Sequence, residues 1–303
     1  MKTLGITMGD PLGIGAEIIC KSLPKFLDQA RFIVFGDRRH LSELERFSEV
    51  KVVGGSALVD YSPKEAGKAS VSYLDQAMAA YRRGEIQALV TAPISKAHVH
   101  LAGFPFPGHT EYLAAQTQSE KFVMMMAGPK LKVTLVTIHE PLAKVPSLLS
   151  EDKIVDCIAI TYQSLQKRFH LPKPRVAVCG LNPHAGEEGL LGNEEQLIIA
   201  PALEKAKAQG YEVEGPKVPD AVFHEAYEGQ WDAVICMYHD QGLIPFKMLH
   251  FKDGVNVTLG LPLIRTSPDH GTAFDIAGRG IADSASMEAA IALALEMVER
   301  KNA

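Results

Sequence analysis

The chain has 303 residues, 47% hydrophobic and 22% charged, a balance that excludes a disordered polymer and supplies core for one large α/β domain or two ordinary ones. A net charge of −5 leaves no basic footprint for nucleic acid, so an anionic ligand must be met by a few local cations. Cys20, Cys157, Cys179 and Cys236 form no CxxC pair, the N-terminus makes a poor signal peptide, and no apolar run approaches the roughly 20 residues of a membrane span. A cytoplasmic protein with reduced thiols and no membrane partner is expected.

In chain order, Thr3–Met8 reads as a strand that leads through ITMGDPLGIGAEI (6–18) into a helical pattern over Gly13–Ser22. Such a glycine-rich turn lets backbone approach an anion or cofactor at a helix N-terminus. It is not GxGxxG, however, and its aspartate would repel phosphate, so a plain strand–turn–helix competes equally. Arg31–Phe35 is the next strand, Gly54–Gly67 an exposed loop, Ser72–Arg82 a helix and Ala88–Thr91 a strand. PGHTEYLAAQ (107–116) starts a helix with Thr110 at the N-cap, where His109, the threonine hydroxyl and free N–H groups could hold a phosphate or carboxylate. An ordinary capped helix start explains the same stretch.

Further strands are expected over Phe122–Met126, Val133–Ile138, Arg175–Cys179, Ala233–Met237 and Val255–Leu259. Helices are expected over Asp152–Arg168, Glu194–Gln209 and Met287–Arg300. Strands separated by helices of this length imply βαβ units and a mostly parallel sheet.

Three apolar runs end alike: KVTLVTIHEP delivers His139, RVAVCGLNPHAG delivers His184, and DAVICMYHDQG delivers His239. Ligands of open parallel sheets bind beyond the carboxyl ends of the strands, and three protein ligands plus an open position is the usual catalytic metal stoichiometry. Asp240 and Asn182 are then natural groups to orient the imidazoles. Each histidine alone is more simply a loop residue or a cap, and spacing does not show that the three meet.

The densest polar stretch is VNVTLGLPLIRTSPDHGTAFDIAGRGIADSASM (255–287), with Asn256 inside an apolar run, Arg265 closing one, and Asp269, His270 and Thr272 in a Pro/Gly-rich turn. Lys247, Asn256 and Arg265 could grip an anionic substrate, the arginine by bidentate pairing. A surface ion pair for Arg265 and a solvated Lys247 are the plainer alternatives.

Together with LVTAPISKAHVHLAGFPFPGHTEYLA and VCGLNPHAGEEGLLGNEE, these motifs resemble, in order, the 4-hydroxythreonine-4-phosphate dehydrogenase family of pyridoxal phosphate biosynthesis. The likeness runs from Ile6 to the C-terminal helix. Gly9–Glu17 and His270–Gly280 are also similar to the dinucleotide-site loops of the wider isocitrate and isopropylmalate dehydrogenase fold.

The resemblance implies two α/β/α domains with mostly parallel sheets flanking a cleft. One comprises residues 1–115 and 262–303 and carries the dinucleotide loops; residues 116–261 carry the metal ligands and dimer contacts. It implies a homodimer whose active sites draw on both subunits, NAD or NADP as cofactor, and one divalent ion (zinc, magnesium or cobalt) on His139, His184 and His239. His109, Thr110, Lys247, Asn256 and Arg265 are carried over as substrate contacts. Asp220 in VPDAVF is carried over as an active-site carboxylate, and His270, Gly271, Thr272 and Asp275 as adenosine-side contacts. The segment 47–70 is shorter than in many members.

The implied reaction is oxidation of the secondary alcohol of 4-phosphohydroxythreonine to a β-keto acid that loses carbon dioxide, with Lys247 or Asp220 as proton acceptor. Dehydrogenases of erythronate and threonate phosphates belong to the same family, and no single residue separates these substrates. Without the resemblance, a metal-dependent hydrolase or lyase and a two-lobed binding protein are the rivals. The His270–Gly280 loop is the feature a hydrolase has no reason to possess.

Overall fold

The structure, a computed structural model, describes residues 2–55 and 60–299. Residues 56–59 of the expected 54–67 loop, and Arg300 of the expected last helix, lie outside the described residues. The strands are β1 (Lys2–Thr7), β2 (Ala30–Phe35), β3 (Val50–Val53), β4 (Ala88–Thr91), β5 (Val123–Ala127), β6 (Lys132–Leu135), β7 (Val176–Cys179), β8 (Val213–Lys217), β9 (Ala233–Cys236), β10 (Val255–Leu259) and β11 (Ile264–Pro268). The helices are α1 (Gly15–Ser22), α2 (Arg38–Leu41), α3 (Pro63–Arg82), α4 (Lys96–Leu101), α5 (His109–Gln116), α6 (Val145–Leu148), α7 (Glu151–Lys167), α8 (Ala200–Ala208), α9 (Pro219–Tyr227), α10 (His239–His250) and α11 (Ala285–Glu299). The chain is an α/β protein made of two compact units: Met1–Glu120 with Leu261–Ala303, and Lys121–Gly260.

In the first unit the strands run β3-β2-β1-β4-β11, all parallel. β1 is inside this sheet, so Leu4 and Ile6 are fully buried and Ile6 is flanked by Val34 and Val90. The chain visits β2 and β3 on one side of β1 and then returns to β4 on the other. This reversal opens a crevice beyond the carboxyl ends of β1 and β4, where ligands of such sheets bind. Helix α3 starts at Pro63, nearer the N-terminus than the expected Ser72. Ser62 and Glu65 form a capping box and Pro63 fills the first turn, a start signal hidden inside what reads as a loop.

In the second unit the order is β10-β5-β6-β9-β7-β8; β10, β5 and β6 pair antiparallel, and β6, β9, β7 and β8 parallel. Val133, Leu135, Ala177, Val234, Leu243 and Phe246 lie in one buried cluster that seats α10 on the sheet. Three strands escape the sequence reading. β3 is a four-residue strand, β8 (VEGPK) is an edge strand where Gly and Pro are tolerated, and β11 (IRTSP) is wholly buried despite its polar composition. No helix among the described residues is long and apolar enough to cross a membrane. All four cysteines are free thiols, and burial pushes Cys20 up to about 11, so this partly exposed thiol is no nucleophile at neutral pH.

Candidate active site

Beyond β1, Gly9 adopts φ +73°, and a Cβ there would stand 2.2 Å from the Pro93 carbonyl oxygen, so only glycine fits. Asp10 N donates to that same carbonyl at 2.9 Å, which locks the β1 loop to the β4 loop. Asp10 is fully buried; its Oδ1 accepts from Leu12 N at 3.0 Å and its Oδ2 meets His98 Nδ1 at 2.7 Å. The carboxylate expected to repel phosphate is therefore turned inward and engaged. His98 in turn stacks on Phe274, with ring centroids 5.1 Å apart.

The His270–Gly280 segment packs on this loop. Ile14 N donates to Thr272 O at 3.0 Å, and Glu17 accepts from Ala282 N at 2.7 Å and Gly280 N at 3.3 Å. A cleft of about 630 Å³ is lined by Pro11, Gly13, Glu17, Arg39, His40 and Gly278, among others. His270 Nδ1 donates to Gly271 O at 3.0 Å, while its Nε2 is buried without a hydrogen-bond partner. Gly271 and Asp275 are exposed and Thr272 half-buried. The glycine-rich loop and the carried-over cofactor residues thus adjoin within one unit.

Arg265, expected to close an apolar run, lies within a strand. It sits inside β11 beside Leu89 of β4, 4% exposed, and donates from Nε and Nη2 to Thr91 Oγ1 at 3.1 and 2.8 Å. The surface-pair alternative fails. Burial lowers its pKa to about 10 against a partial offset from Glu111, so it remains a cation at neutral pH. His109 opens α5 with its Nε2 out of solvent and unpartnered; burial, and secondarily the Arg265 charge, hold its pKa well below the usual histidine value. The N-cap of α5 is Gly108, not Thr110, and no side chain caps this helix, so Thr110 belongs to the first turn. A buried guanidinium, a neutral imidazole with an idle nitrogen and a helix start without a side-chain cap are features suited to an anionic group.

In the second unit, His139, His239 and His184 follow the ends of the adjacent strands β6, β9 and β7. His139 and His239 lie side by side with ring centroids 5.5 Å apart. The Asp240 carboxylate meets His239 Nδ1 at 2.7 Å, which leaves Nε2 for a ligand. His184 does not join them: among the described residues no group of three His, Cys, Asp or Glu is placed to hold a metal ion. A single chain therefore brings together two of the three expected imidazoles. The two fit a divalent ion as neighbouring nitrogen ligands with an acidic partner behind one of them.

His184 is exposed and begins a run of left-handed backbone, with φ values of 50°, 52°, 80°, 41° and 56° from His184 to Glu188. Each non-glycine residue in that region costs about 1–2 kcal/mol. Asn182 does not orient an imidazole; its Nδ2 donates to Glu194 Oε2 at 2.8 Å and Glu195 Oε2 at 2.9 Å. Gln241 ties the loop to β9, donating to Gly180 O and accepting from Met237 N, both at 2.7 Å. Lys247 is half-buried on α10 with its ammonium 5.7 Å from the Phe251 ring centroid. Asn256 is half-buried on β10, and Asp220 is exposed in the first turn of α9. Sequence reasoning missed Thr91, His98, Glu195 and Gln241. All four lie in or beside quoted motifs, but only tertiary contacts reveal what they hold.

A sequence profile described as "Pyridoxal phosphate biosynthetic protein PdxA" matches residues 18–294. The chain belongs to the PdxA family. It is 46% identical over 322 residues to the 4-hydroxythreonine-4-phosphate dehydrogenase of Desulforapulum autotrophicum, covering 96% of this chain and 94% of the relative. It is 45% identical over 324 residues to the D-threonate 4-phosphate dehydrogenase of Salmonella typhimurium, covering 98% and 99%. The crystal structure of the Klebsiella pneumoniae 4-hydroxythreonine-4-phosphate dehydrogenase superposes with a TM-score of 0.88 at 41% identity, covering 98% of both chains. Isocitrate dehydrogenase from Methylococcus capsulatus, at 14% identity and a TM-score of 0.51, shares the fold. This PdxA-family chain is an oxidoreductase, which sets aside the hydrolase, lyase and binding-protein alternatives.

Proposed function

We propose that this PdxA-family enzyme uses NAD or NADP to oxidise the secondary alcohol of 4-phosphohydroxy-L-threonine. The product, 2-amino-3-oxo-4-phosphooxybutanoate, then loses carbon dioxide to give 3-amino-2-oxopropyl phosphate. The observation that carries this reading is the buried Arg265 guanidinium, whose charge reaches His109, together with the unpartnered His109 Nε2 at the start of α5, a pair suited to an anionic group. Arg265, held by Thr91, fixes that group, and a neutral His109 offers its idle nitrogen without adding charge. Lys247 and Asn256 would supply further substrate contacts, and Lys247 or Asp220 would accept the hydroxyl proton.

His139 and His239 would hold one divalent ion (zinc, magnesium or cobalt), with His184 completing the set in a homodimer whose sites draw on both subunits. Such an ion lowers the pKa of an alcohol bound to it. The glycine-rich loop and His270, Gly271, Thr272 and Asp275 would seat the dinucleotide, which supplies the hydride chemistry. Asp240 fixes the tautomer of His239.

A second reading, oxidation of D-threonate or D-erythronate 4-phosphate, is supported by the threonate enzyme at 45% identity, level with the hydroxythreonine enzymes. Formation of reduced nicotinamide decides between them. Absorbance is followed with each dinucleotide and each of the three phosphorylated substrates, with and without a chelator. Turnover of hydroxythreonine phosphate that stops on chelation is expected. Turnover confined to the threonate or erythronate phosphates selects the second reading, and full activity in metal-free enzyme rejects the ion.

A further inference from the structure

We propose that Glu195 is the positioning residue for His184: its buried carboxylate is the template on which the left-handed turn 184–188 is wound. The inference rests on reading His184 as a metal ligand. Backbone in a sparsely populated region persists only where its surroundings over-determine it, and an exposed histidine has no packing of its own to do so.

Glu195 is 3% exposed and supplies that determination. Its Oε1 accepts from Leu181 N and Asn182 N, both at 2.7 Å, which are the two residues leading into Pro183–His184. Its Oε2 accepts from Asn182 Nδ2 at 2.9 Å. A buried carboxylate satisfied by three donors is a rigid post. The turn closes around it, for a Cβ on Gly186 would stand 2.6 Å from Oε2. Gln241 then secures the same loop, through Gly180, to the strand end that carries His239. Glu195 and Gln241, both buried, both hold loop backbone.

The test is Co²⁺ titration of the full-length protein by calorimetry, combined with hydrogen exchange over residues 181–189, for the wild type and for Glu195→Gln, Gly186→Ala and His184→Ala. Gln can keep its carbonyl on the two backbone donors but turns an NH₂ toward Asn182 Nδ2, a donor facing a donor. Glu195→Gln and Gly186→Ala are expected to weaken Co²⁺ binding roughly 10- to 100-fold and to speed exchange over 181–189. Dinucleotide affinity should hold and the thermal midpoint should fall by only a few degrees, which a general loss of structure would not allow. If Glu195→Gln fails to fold, Asn182→Ala carries the same test with an expected loss of roughly three- to tenfold. Wild-type Co²⁺ affinity in the Glu195 and Gly186 variants beside a weakened His184→Ala overturns the positioning role and leaves the ligand assignment standing. Wild-type affinity in His184→Ala removes the assignment and the inference together.

Discussion

The Arg265–His109 cluster of the first unit, proposed to take an anion, and the histidine edge of the second are built on opposite plans. Arg265 is buried and held by Thr91 of the same unit, and His109 keeps its Nε2 out of solvent without a partner. His139 and His184 are exposed, and His139 and His239 pair while no group of three ligands forms among the described residues. A pocket for a permanent anion gains from preorganised, desolvated charge. A metal site must instead leave nitrogens uncovered until the ion and the remaining ligand arrive.

The sharpest way to break this contrast is Arg265→Met. Losing a buried cation that pairs with a substrate anion should cost about 4 kcal/mol, on the order of a thousandfold in kcat/KM. Arg265→Lys should recover little, because a single ammonium cannot reproduce the paired Nε and Nη2 bonds to Thr91. A Lys variant within threefold of wild type would show that charge alone suffices.

His239→Ala should be next, lowering Co²⁺ affinity on the order of a hundredfold by calorimetry while leaving dinucleotide binding intact. A preassembled site tolerant of losing one ligand would not respond in this way.

The third prediction concerns acid. Burial pushes the Asp37 carboxyl up, but hydrogen bonds from the Arg39 side chain and N–H and from the Tyr61 hydroxyl outweigh it and hold the pKa at about 2. Because the folded value is depressed, the stabilisation is present above the unfolded value near 3.8 and is lost as pH falls through about 2. The first unit should therefore lose about 2 kcal/mol across that window, and Asp37→Asn should show the loss already at neutral pH. Denaturant melts at stepped pH check both. The smallest effect expected is Asp240→Asn, about tenfold in metal affinity, since an amide still accepts from His239 Nδ1 but carries no charge.

Much of the fold was legible because βαβ alternation is written in hydrophobic periodicity: the apolar runs over Thr3–Met8, Ala88–Thr91 and Ala233–Met237 all became strands. β11 was not, because a buried arginine, threonine and serine look like loop until their partners Thr91 and Ala290 are seen. The strand-end histidines were legible as positions, and the adjacency of β6, β9 and β7 explains why all three lie at one sheet edge. That only two rings meet within a chain was not legible, since the left-handed turn after Pro183 depends on Glu195, more than ten residues away in sequence. Asp10 misled for the same reason: its partner His98 is 88 residues distant.

The segment Glu195–Ile199 is wound as a π-helix before α8 resumes ordinary geometry. Such a coil holds one more residue per turn than its α-helical continuation. Removing one residue from α8, where the coil is already regular, would turn Glu195 by about 100° around the axis relative to the buried face of the helix, away from Leu181 and Asn182. Length, more than composition, is thus the protected quantity in this stretch: substitutions on its outer face should be absorbed, whereas a single-codon deletion should not.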